Sequence, residues 1–209
     1  PQAILSYSGT GLTKLSQQYH EIIREHICRG AYKHAKRPIL INNWEATYFD
    51  FNEEKILKIA EQAQKLGIEM LVLDDGWFGK REDDNSGLGD WFVNEKKMNG
   101  SMAQLAEKIH KMGMKFGLWF EPEMISEDSD LYRAHPDWAF AIPGRVPNHS
   151  RNQLVLDMTR EDVREYLLER LTTIVHDAKI DYVKWDMNRS VCDVYSHVAA
   201  QSRNGELYH

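Results

Sequence analysis

Helical and strand-like hydrophobic patterns alternate along the chain. The segment NEEKILKIAEQAQKLG has apolar residues at helical spacing, with Asn52 placed to cap its start and Gly67 to end it. The segment SMAQLAEKIHKMG repeats the pattern, with the Ser101–Gln104 spacing of a capping box and Gly113 at its end. The apolar runs IEMLVLDD and MKFGLWFEPE follow these two helices and predict buried strands.

The same alternation extends in both directions. Before these elements, KLSQQYHEIIREHICRG predicts a helix, and RPILINNW predicts a short strand that Pro38 can begin. After them come a long loop over roughly residues 121–153, the strand QLVLD, a helix that Thr159 is placed to cap, and the last strand KIDYVKWD. We therefore expect about five buried strands separated by amphipathic helices.

This order of elements predicts a parallel sheet covered by helices, which is the α/β class. An open doubly wound sheet and part of a (β/α)8 TIM barrel both fit, since a whole barrel typically takes about 250 residues. The phosphate-binding patterns GxGxxG and GxxxxGK[ST] are absent, which weighs against a nucleotide-binding sheet. We favour a (β/α)8 TIM barrel present only in part, with about its first five β/α units.

The ends of the chain set the expected domain boundaries. The chain begins with Pro1 in place of an initiator Met and ends in GELYH without a terminating element, so we interpret it as an internal fragment. The turn-rich residues 1–14 are expected to form a linker from a missing N-terminal domain. Residues 15–209 are expected to form the partial barrel.

Composition and charge exclude several classes of partner. The chain of 209 residues has a formal net charge of −6 and no basic block, so we expect no nucleic acid partner. No apolar run approaches the roughly 18 residues that a membrane helix needs, so we expect no membrane partner. Cys28 and Cys192 show neither metal-ligand spacing nor a disulfide framework, which favours a reducing compartment such as the cytoplasm.

Motifs for metal sites and for serine nucleophiles are missing from the sequence. The nine histidines include no H-x-H or H-x-x-x-H pair. The segment REDDNSGLGD lacks the spacing and the closing Glu of a calcium loop, and no G-x-S-x-G elbow occurs. We therefore expect no metal and no cofactor.

Polar and aromatic side chains cluster where the predicted strands end. Because the carboxyl ends of strands build the site in parallel α/β folds, these clusters are expected to meet at one mouth. The clusters are Asn42, Asn43 and Trp44; Asp74 and Asp75; Trp119 and Glu121; and Lys184, Asp186 and Asn188.

The last of these clusters contains a candidate nucleophile. Side chains two residues apart on a strand share a face, so Lys184, Asp186 and Asn188 are expected to point into the mouth. Val183 and Trp185 are then expected to face the helices. A lysine beside Asp186 would keep the pKa of its carboxyl low, and a glycosidase nucleophile has to be an ionised carboxylate. The alternative is a strand-end salt bridge that positions a loop.

Tryptophans and paired carboxylates at one rim suit a sugar. Trp44, Trp119 and Trp77 can contact the apolar face of a sugar ring. Asp74 and Asp75 can accept hydrogen bonds from neighbouring hydroxyls. Taken singly, each Trp is more often a core residue, and an Asp pair before Gly is often a turn. Their joint position at one rim favours the sugar-binding interpretation.

Five motifs carry a resemblance to a known family: INNWEATYFDF, LDDGWFGKR, GLWFEPEM, RNQLVLD and VKWDMNR. In this order they resemble the catalytic barrel of the microbial melibiase-type α-galactosidases, the branch related to the raffinose synthases, from about Leu15 to the C-terminus. The resemblance implies a retaining α-galactosidase that hydrolyses terminal α-galactosides of the melibiose and raffinose type through a galactosyl-enzyme intermediate. It identifies Asp186 as the nucleophile, with two carboxyls roughly 5–5.5 Å apart flanking the bond.

The resemblance also implies a set of sugar-binding residues. It identifies Asp74 and Asp75 as the pair that binds the galactose 4- and 6-hydroxyls. The other implied sugar contacts are Trp44, Trp119, Arg151, Lys184 and Asn188. The implied partners are α-galactoside oligosaccharides, and the parent protein is expected to be a homo-oligomer because the family is often tetrameric.

One catalytic group falls outside the resemblance. The family's general acid/base is an Asp beyond an SGGG segment, and nothing after Arg189 resembles that segment. We therefore expect the general acid/base to lie outside this chain. Three alternatives stay open: a non-catalytic sugar-binding or assembly-dependent fragment, a galactosyl transferase, and an α-N-acetylgalactosaminidase.

Overall fold

The computed structural model of the protein describes residues 3–208. The chain divides into two compact units, one that ends at Pro38 and one that spans Ile39–Tyr208. The second unit contains the sheet and all of the predicted site residues. The site is therefore built within this unit.

The first unit is built around one helix. Helix α1 spans Leu12–Ile22, continues as a π-helical turn over Ile23–Ile27, and is followed by a 3-10 turn at Ala31–Lys33. This helix confirms the one predicted from KLSQQYHEIIREHICRG, although it begins inside the segment predicted as a linker. Positions 1 and 2 of that linker lie outside the described residues. The boundary between residues 14 and 15 stays a prediction.

Four parallel strands form the sheet of the second unit, in the order β1, β2, β3, β6. Their residues come from four of the apolar runs, which confirms the parallel arrangement predicted from the sequence. The strands are β1 at Leu40–Asn42, β2 at Met70–Leu73, β3 at Lys115–Phe120 and β6 at Tyr182–Trp185.

Helices connect consecutive strands of this sheet. A short helix, α2 (Trp44–Thr47), follows β1, and α3 (Glu53–Lys65) then leads to β2. Helix α4 (Met102–Lys111) leads to β3, and α6 (Glu161–Asp177) leads to β6. Within residues 3–208, none of the helices has the length and apolar character needed to cross a bilayer.

The helix starts test the predicted caps. Asn52 accepts the Lys55 N–H and caps α3, and Ser101 and Gln104 form the predicted capping box of α4. The predicted cap of α6 was wrong, because Arg160 holds the N-cap position. The Thr159 hydroxyl and N–H instead both donate to the Asp157 carboxylate, which takes Thr159 out of the capping geometry.

One predicted barrel strand lies outside the parallel sheet. In the QLVLD segment, β5 (Leu154–Val155) pairs antiparallel with β4 (Met124–Ile125). A short helix, α5 (Asp130–Ala134), and a 3-10 turn at Pro136–Trp138 lie between these two strands. Strand β3 pairs directly with β6, so the sheet has four strands and not about five. A short apolar run fits any buried strand, and its sequence does not specify the neighbour.

An aromatic cluster fills the core beneath the carboxyl ends of the strands. Its ring centroids lie 4.5–6.2 Å apart, in the range of favourable aromatic pairs. Its members are Trp77, Phe78, Trp91, Trp119 and Phe120. The prediction that Trp77 contacts a sugar at the rim was wrong, because Trp77 is fully buried and its Nε1 donates to the Trp119 carbonyl.

Ser101→Ala is expected to lower the free energy of unfolding by about 1 kcal/mol, because it removes the side chain that accepts the Gln104 N–H at the start of α4. Chemical denaturation measures the change. Thr173→Ala, at an exposed position within α6, is the control and is expected to change this free energy by less than about 0.5 kcal/mol. Equal effects of the two substitutions would contradict the capping role.

Candidate active site

Asp74, at the end of β2, joins three strands of the sheet. Its Oδ2 accepts a hydrogen bond from the Asn42 side chain at the end of β1 and lies 2.7 Å from Lys184 Nζ on β6. The Asp74 N–H donates to Asn43 Oδ1 at 2.8 Å. The carboxylate is almost completely buried, so its charge is compensated mainly by Lys184. The predicted meeting of strand ends at one mouth is present here.

Asp186 lies just beyond the end of β6, and its carboxylate accepts three hydrogen bonds. Oδ2 accepts from Trp119 Nε1 and from Asn188 Nδ2, both at 3.0 Å, and Oδ1 accepts the Met187 N–H at 2.9 Å. Burial raises the pKa of Asp186, but these hydrogen bonds, together with the charge of Lys184, lower it below its ordinary value. The Asp186 carboxylate is therefore ionised at neutral pH.

Lys184 has a different main partner from the one predicted. Its ammonium pairs with Asp74, and its charge contributes less to the low pKa of Asp186 than the hydrogen bonds from Trp119 and Asn188. This salt bridge runs to Asp74 on β2, and it differs from the alternative interpretation, in which Lys184 and Asp186 form a strand-end pair that positions a loop. The lowered pKa of Asp186 is as expected, but its main cause is hydrogen bonding.

The predicted alternation along β6 is confirmed. At the mouth, Lys184 contacts Asp74, and Asp186 contacts both Trp119 and Asn188. Val183 and Trp185 lie on the opposite face, where they line an apolar groove of about 380 Å³ beside α6. Strand periodicity therefore placed these side chains correctly.

Glu121, at the end of β3, is a functional candidate to which the sequence analysis gave no role. Its Oε1 accepts the Asn188 N–H and lies 2.9 Å from Gln153 Nε2. Burial raises the pKa of Glu121, hydrogen bonds from Asn188 and Gln153 lower it, and the charge of Asp186 raises it further; the net change is upward. Its position at a strand tip, in GLWFEPE, was the signal that could have identified it.

Asp75 faces a different partner from Asp74. Its carboxylate forms a buried, two-pronged ion pair with Arg81, with Oδ1 3.1 Å from Nε and Oδ2 2.9 Å from the Arg81 terminal nitrogen. Gly76 follows with φ of +99°, and a Cβ there would lie 2.9 Å from the Phe49 ring. Consecutive residues at a strand end point to opposite sides, so Asp74 pairs with Lys184 while Asp75 pairs with Arg81, which follows the turn at Gly76.

The two predicted site tryptophans offer different groups. Trp44 begins α2, where its backbone N–H donates to Asn42 Oδ1 at 2.8 Å. Its partly exposed ring packs edge-on against Phe49. Trp119 is 1% exposed and its ring is covered by the aromatic cluster. The expectation of an accessible Trp119 ring face was therefore wrong, because only its indole N–H reaches the site, at Asp186.

Arg151 reaches the site through Asn188. Its guanidinium donates to Asn188 Oδ1 at 3.1 Å and lies 3.8 Å from Asp84. The Arg151 backbone has φ of +52°, in the left-handed region. The predicted residues thus form two bonded groups: Asp74 pairs with Lys184, and Asp186 accepts from Trp119 and from Asn188, which in turn accepts from Arg151. The charge of Lys184 lowers the pKa of Asp186, and Trp44 joins the first group through Asn42.

Between residues 3 and 208, no three His, Cys, Asp or Glu side chains are grouped so as to hold a metal ion. The ionised Asp186 carboxylate instead lies among hydrogen-bond donors. Such a carboxylate can act as a nucleophile toward an electrophilic carbon.

Trp119→Phe is expected to raise the pKa of Asp186, because it removes a hydrogen bond that favours the ionised carboxylate. An NMR titration of the Asp186 carboxyl carbon measures this pKa. Trp185→Phe is the matched control, since the Trp185 indole donates to Glu123 on the other face of β6. An unchanged pKa in Trp119→Phe would refute the role assigned to the Trp119 N–H.

Comparison with known proteins places the chain in a family. The family model described as Melibiase matches residues 1–209. The chain is 60% identical over 196 residues to the bifunctional alpha-galactosidase/sucrose kinase AgaSK of Mediterraneibacter gnavus, covering 94% of this chain and 21% of that protein. It is 53% identical over 209 residues to alpha-galactosidase Mel36A of Lactobacillus acidophilus, covering all of this chain and 29% of that protein.

Solved structures agree with these relatives. The GH36 alpha-galactosidase AgaA of Geobacillus stearothermophilus superimposes with a TM-score of 0.92 at 52% identity, over 97% of this chain and 28% of that one. Variants of AgaA have been solved in complex with raffinose and with stachyose. The chain thus spans less than a third of the length of these relatives. The α/β fold, a (β/α)8 barrel present in part, is confirmed, and the chain belongs to the Melibiase family.

Proposed function

We propose that the protein carrying this chain is a retaining α-galactosidase, which hydrolyses terminal α-galactosides of the melibiose and raffinose type. The observation that carries the proposal is the Asp186 carboxylate, held ionised at the carboxyl ends of the strands by donors from Trp119, Asn188 and Met187. A retaining glycosidase requires such a carboxylate as its nucleophile. The names of the relatives, all alpha-galactosidases, agree with this chemistry.

The proposed reaction has two steps. Asp186 attacks the anomeric carbon, the glycosidic bond breaks, and the leaving oxygen takes a proton from a general acid that lies outside this chain. Water then attacks the galactosyl ester, gives its proton to the same acid/base group and frees Asp186. The low pKa of Asp186 supports this role, because the carboxylate enters each cycle ionised at neutral pH.

The sugar-binding residues remain part of the proposal. Asp74 and Lys184 lie side by side and offer an acceptor and donors to sugar hydroxyls, and Trp44 offers a partly exposed ring. Asp75 has lone pairs beyond those that bind Arg81. The full proposed set of sugar contacts is Trp44, Asp74, Asp75, Arg151, Lys184, Asn188 and, through its indole N–H alone, Trp119.

The proposed substrates are α-galactoside oligosaccharides. The raffinose and stachyose complexes of AgaA variants support this class. We also retain three predictions: residues 15–209 as the partial barrel, a cytoplasmic location based on the free Cys28 and Cys192, and a homo-oligomeric parent protein.

Asp186→Asn, in the protein at its full natural length, is expected to reduce release of dinitrophenol from a dinitrophenyl α-galactoside by more than about 10³-fold. This leaving group needs no proton, so the assay tests the nucleophile separately from the general acid. Asp181→Asn is the matched control, since it makes the same change just before β6, where Asp181 contacts His110 and the Phe116 N–H.

Chemical rescue sharpens this test. Azide added to Asp186→Ala is expected to restore release and to yield β-galactosyl azide, since azide can replace the missing carboxylate at the anomeric carbon. Turnover by Asp186→Asn within tenfold of the unaltered protein would refute the nucleophile assignment. A full-length protein without turnover on any α-galactoside would refute the proposed function.

A further inference from the structure

A chain of hydrogen bonds leads from a buried carboxylate to Asp186. Glu121 Oε1 accepts the backbone N–H of Asn188, and Asn188 Nδ2 donates to Asp186 Oδ2 at 3.0 Å. Glu121 directly follows β3, and Asp186 and Asn188 follow β6, which pairs with β3. The Glu121 carboxylate, just beyond β3, thus holds the turn that follows β6.

The burial of Glu121 is costly for folding. Glu121 is 1% exposed, and Gln153, the second residue that donates a hydrogen bond to it, is 2% exposed. No arginine or lysine pairs with Glu121 among the ion pairs of residues 3–208, and the nearby charge of Asp186 is of the same sign. Burying an acidic group beside another one destabilises a fold. A residue that costs stability at a strand tip is a candidate for a role in the site.

Asn188 is held at both its backbone and its side chain. Glu121 accepts its N–H, and the Arg151 guanidinium donates to its Oδ1 at 3.1 Å. Because a guanidinium has only donors, the amide oxygen of Asn188 has to face Arg151, and the amide nitrogen has to face Asp186. The Asn188 amide can therefore act only as a donor to Asp186 Oδ2.

The loop before β5 completes this support. The Gln153 side chain donates to Glu121 Oε1 at 2.9 Å, and the Gln153 backbone carbonyl accepts a hydrogen bond from the Arg189 guanidinium. The same guanidinium donates to the Asn148 carbonyl at 2.8 Å. The loop that contributes Arg151 is thus tied to the turn that contains Asn188. Glu121 lies at the point where the loop, the turn and β3 meet.

We propose that Glu121 is a positioning residue for the galactosyl transfer at Asp186. Its carboxylate fixes the backbone of Asn188 so that the Asn188 side chain aims a donor at the nucleophile. Glu121 is 1% exposed and acts through Asn188 without touching the sugar. This inference rests on the proposed function, because it assigns Glu121 a part in that reaction.

Glu121→Met in the full-length protein tests this role. It removes the acceptor of the Asn188 N–H, and kcat on an α-galactoside is expected to fall about 10²-fold, a loss typical of a misplaced reacting group. KM is expected to change less than about threefold, because the substitution displaces only Asn188 among the seven proposed sugar contacts. Glu121→Gln keeps an acceptor oxygen and is expected to restore kcat to within about fivefold of the unaltered protein.

Glu123→Met is the matched control. Glu123 lies two residues further along, and both of its oxygens accept from the Trp185 indole on the other face of β6. Its substitution is expected to leave kcat unchanged within about twofold. If Glu121→Met does not fold, Gln153→Met carries the test, since it removes the other donor to Glu121, with an expected loss of about tenfold in kcat.

A double-mutant cycle separates positioning from general damage. In an Asn188→Ala background, Glu121→Met is expected to lower kcat less than about threefold further, because the donor that it positions is already gone. An equal loss in both backgrounds would overturn the inference. So would a Glu121→Met variant with unaltered kcat in a protein that turns over α-galactosides. A full-length protein without turnover would instead overturn the proposed function, and the inference with it.

Discussion

The direct parallel pairing of β3 with β6 is the constraint on which the site depends. In this register Trp119 lies opposite Lys184, and Phe120 lies opposite Trp185. The register brings the Trp119 indole to Asp186 and the Glu121 carboxylate to the Asn188 N–H. The end of β3 thus supplies a donor to Asp186, and the segment after β6 supplies a donor to Glu121. A different neighbour for β3 would leave the Asp186 carboxylate without one of its donors.

Close approach of these strands depends on a residue without a side chain. Gly117 lies opposite Tyr182, and a Cβ at Gly117 would be 3.0 Å from both the Tyr182 ring and a Val72 methyl group. The space that a side chain would fill is occupied by these two neighbours on β6 and β2. The sheet can therefore hold its register at the level of the site without displacing either strand.

Two acidic groups near one another have opposite electrostatic environments. Hydrogen bonds and a nearby lysine lower the pKa of Asp186, whereas burial and the charge of Asp186 raise the pKa of Glu121. Environments that separate the pKa values of neighbouring carboxyls are a feature of catalytic sites. Here the separation lets Asp186 stay ionised while Glu121 is held in the interior by its two donors.

Local features of the structure were predictable from the sequence, but the contacts between side chains and strands that are distant in the sequence were not. The caps at Asn52 and Ser101 and the shared face of Lys184 and Asp186 follow from short windows of sequence. The partner of Lys184, the burial of Trp119, the link from Glu121 to Asn188 and the position of QLVLD depend on which strands become neighbours. That information lies in tertiary packing and not in any window of the chain.

The alternation along β6 has a consequence for how this sequence can vary in length. Successive side chains of a strand point to opposite faces, so removing one residue between α6 and β6 would exchange the two faces. Trp185 would then enter the polar mouth, and Asp186 would be driven against the apolar groove beside α6. A one-residue insertion or deletion that shifts β6 by one position is therefore incompatible with the site, even where the fold could absorb it.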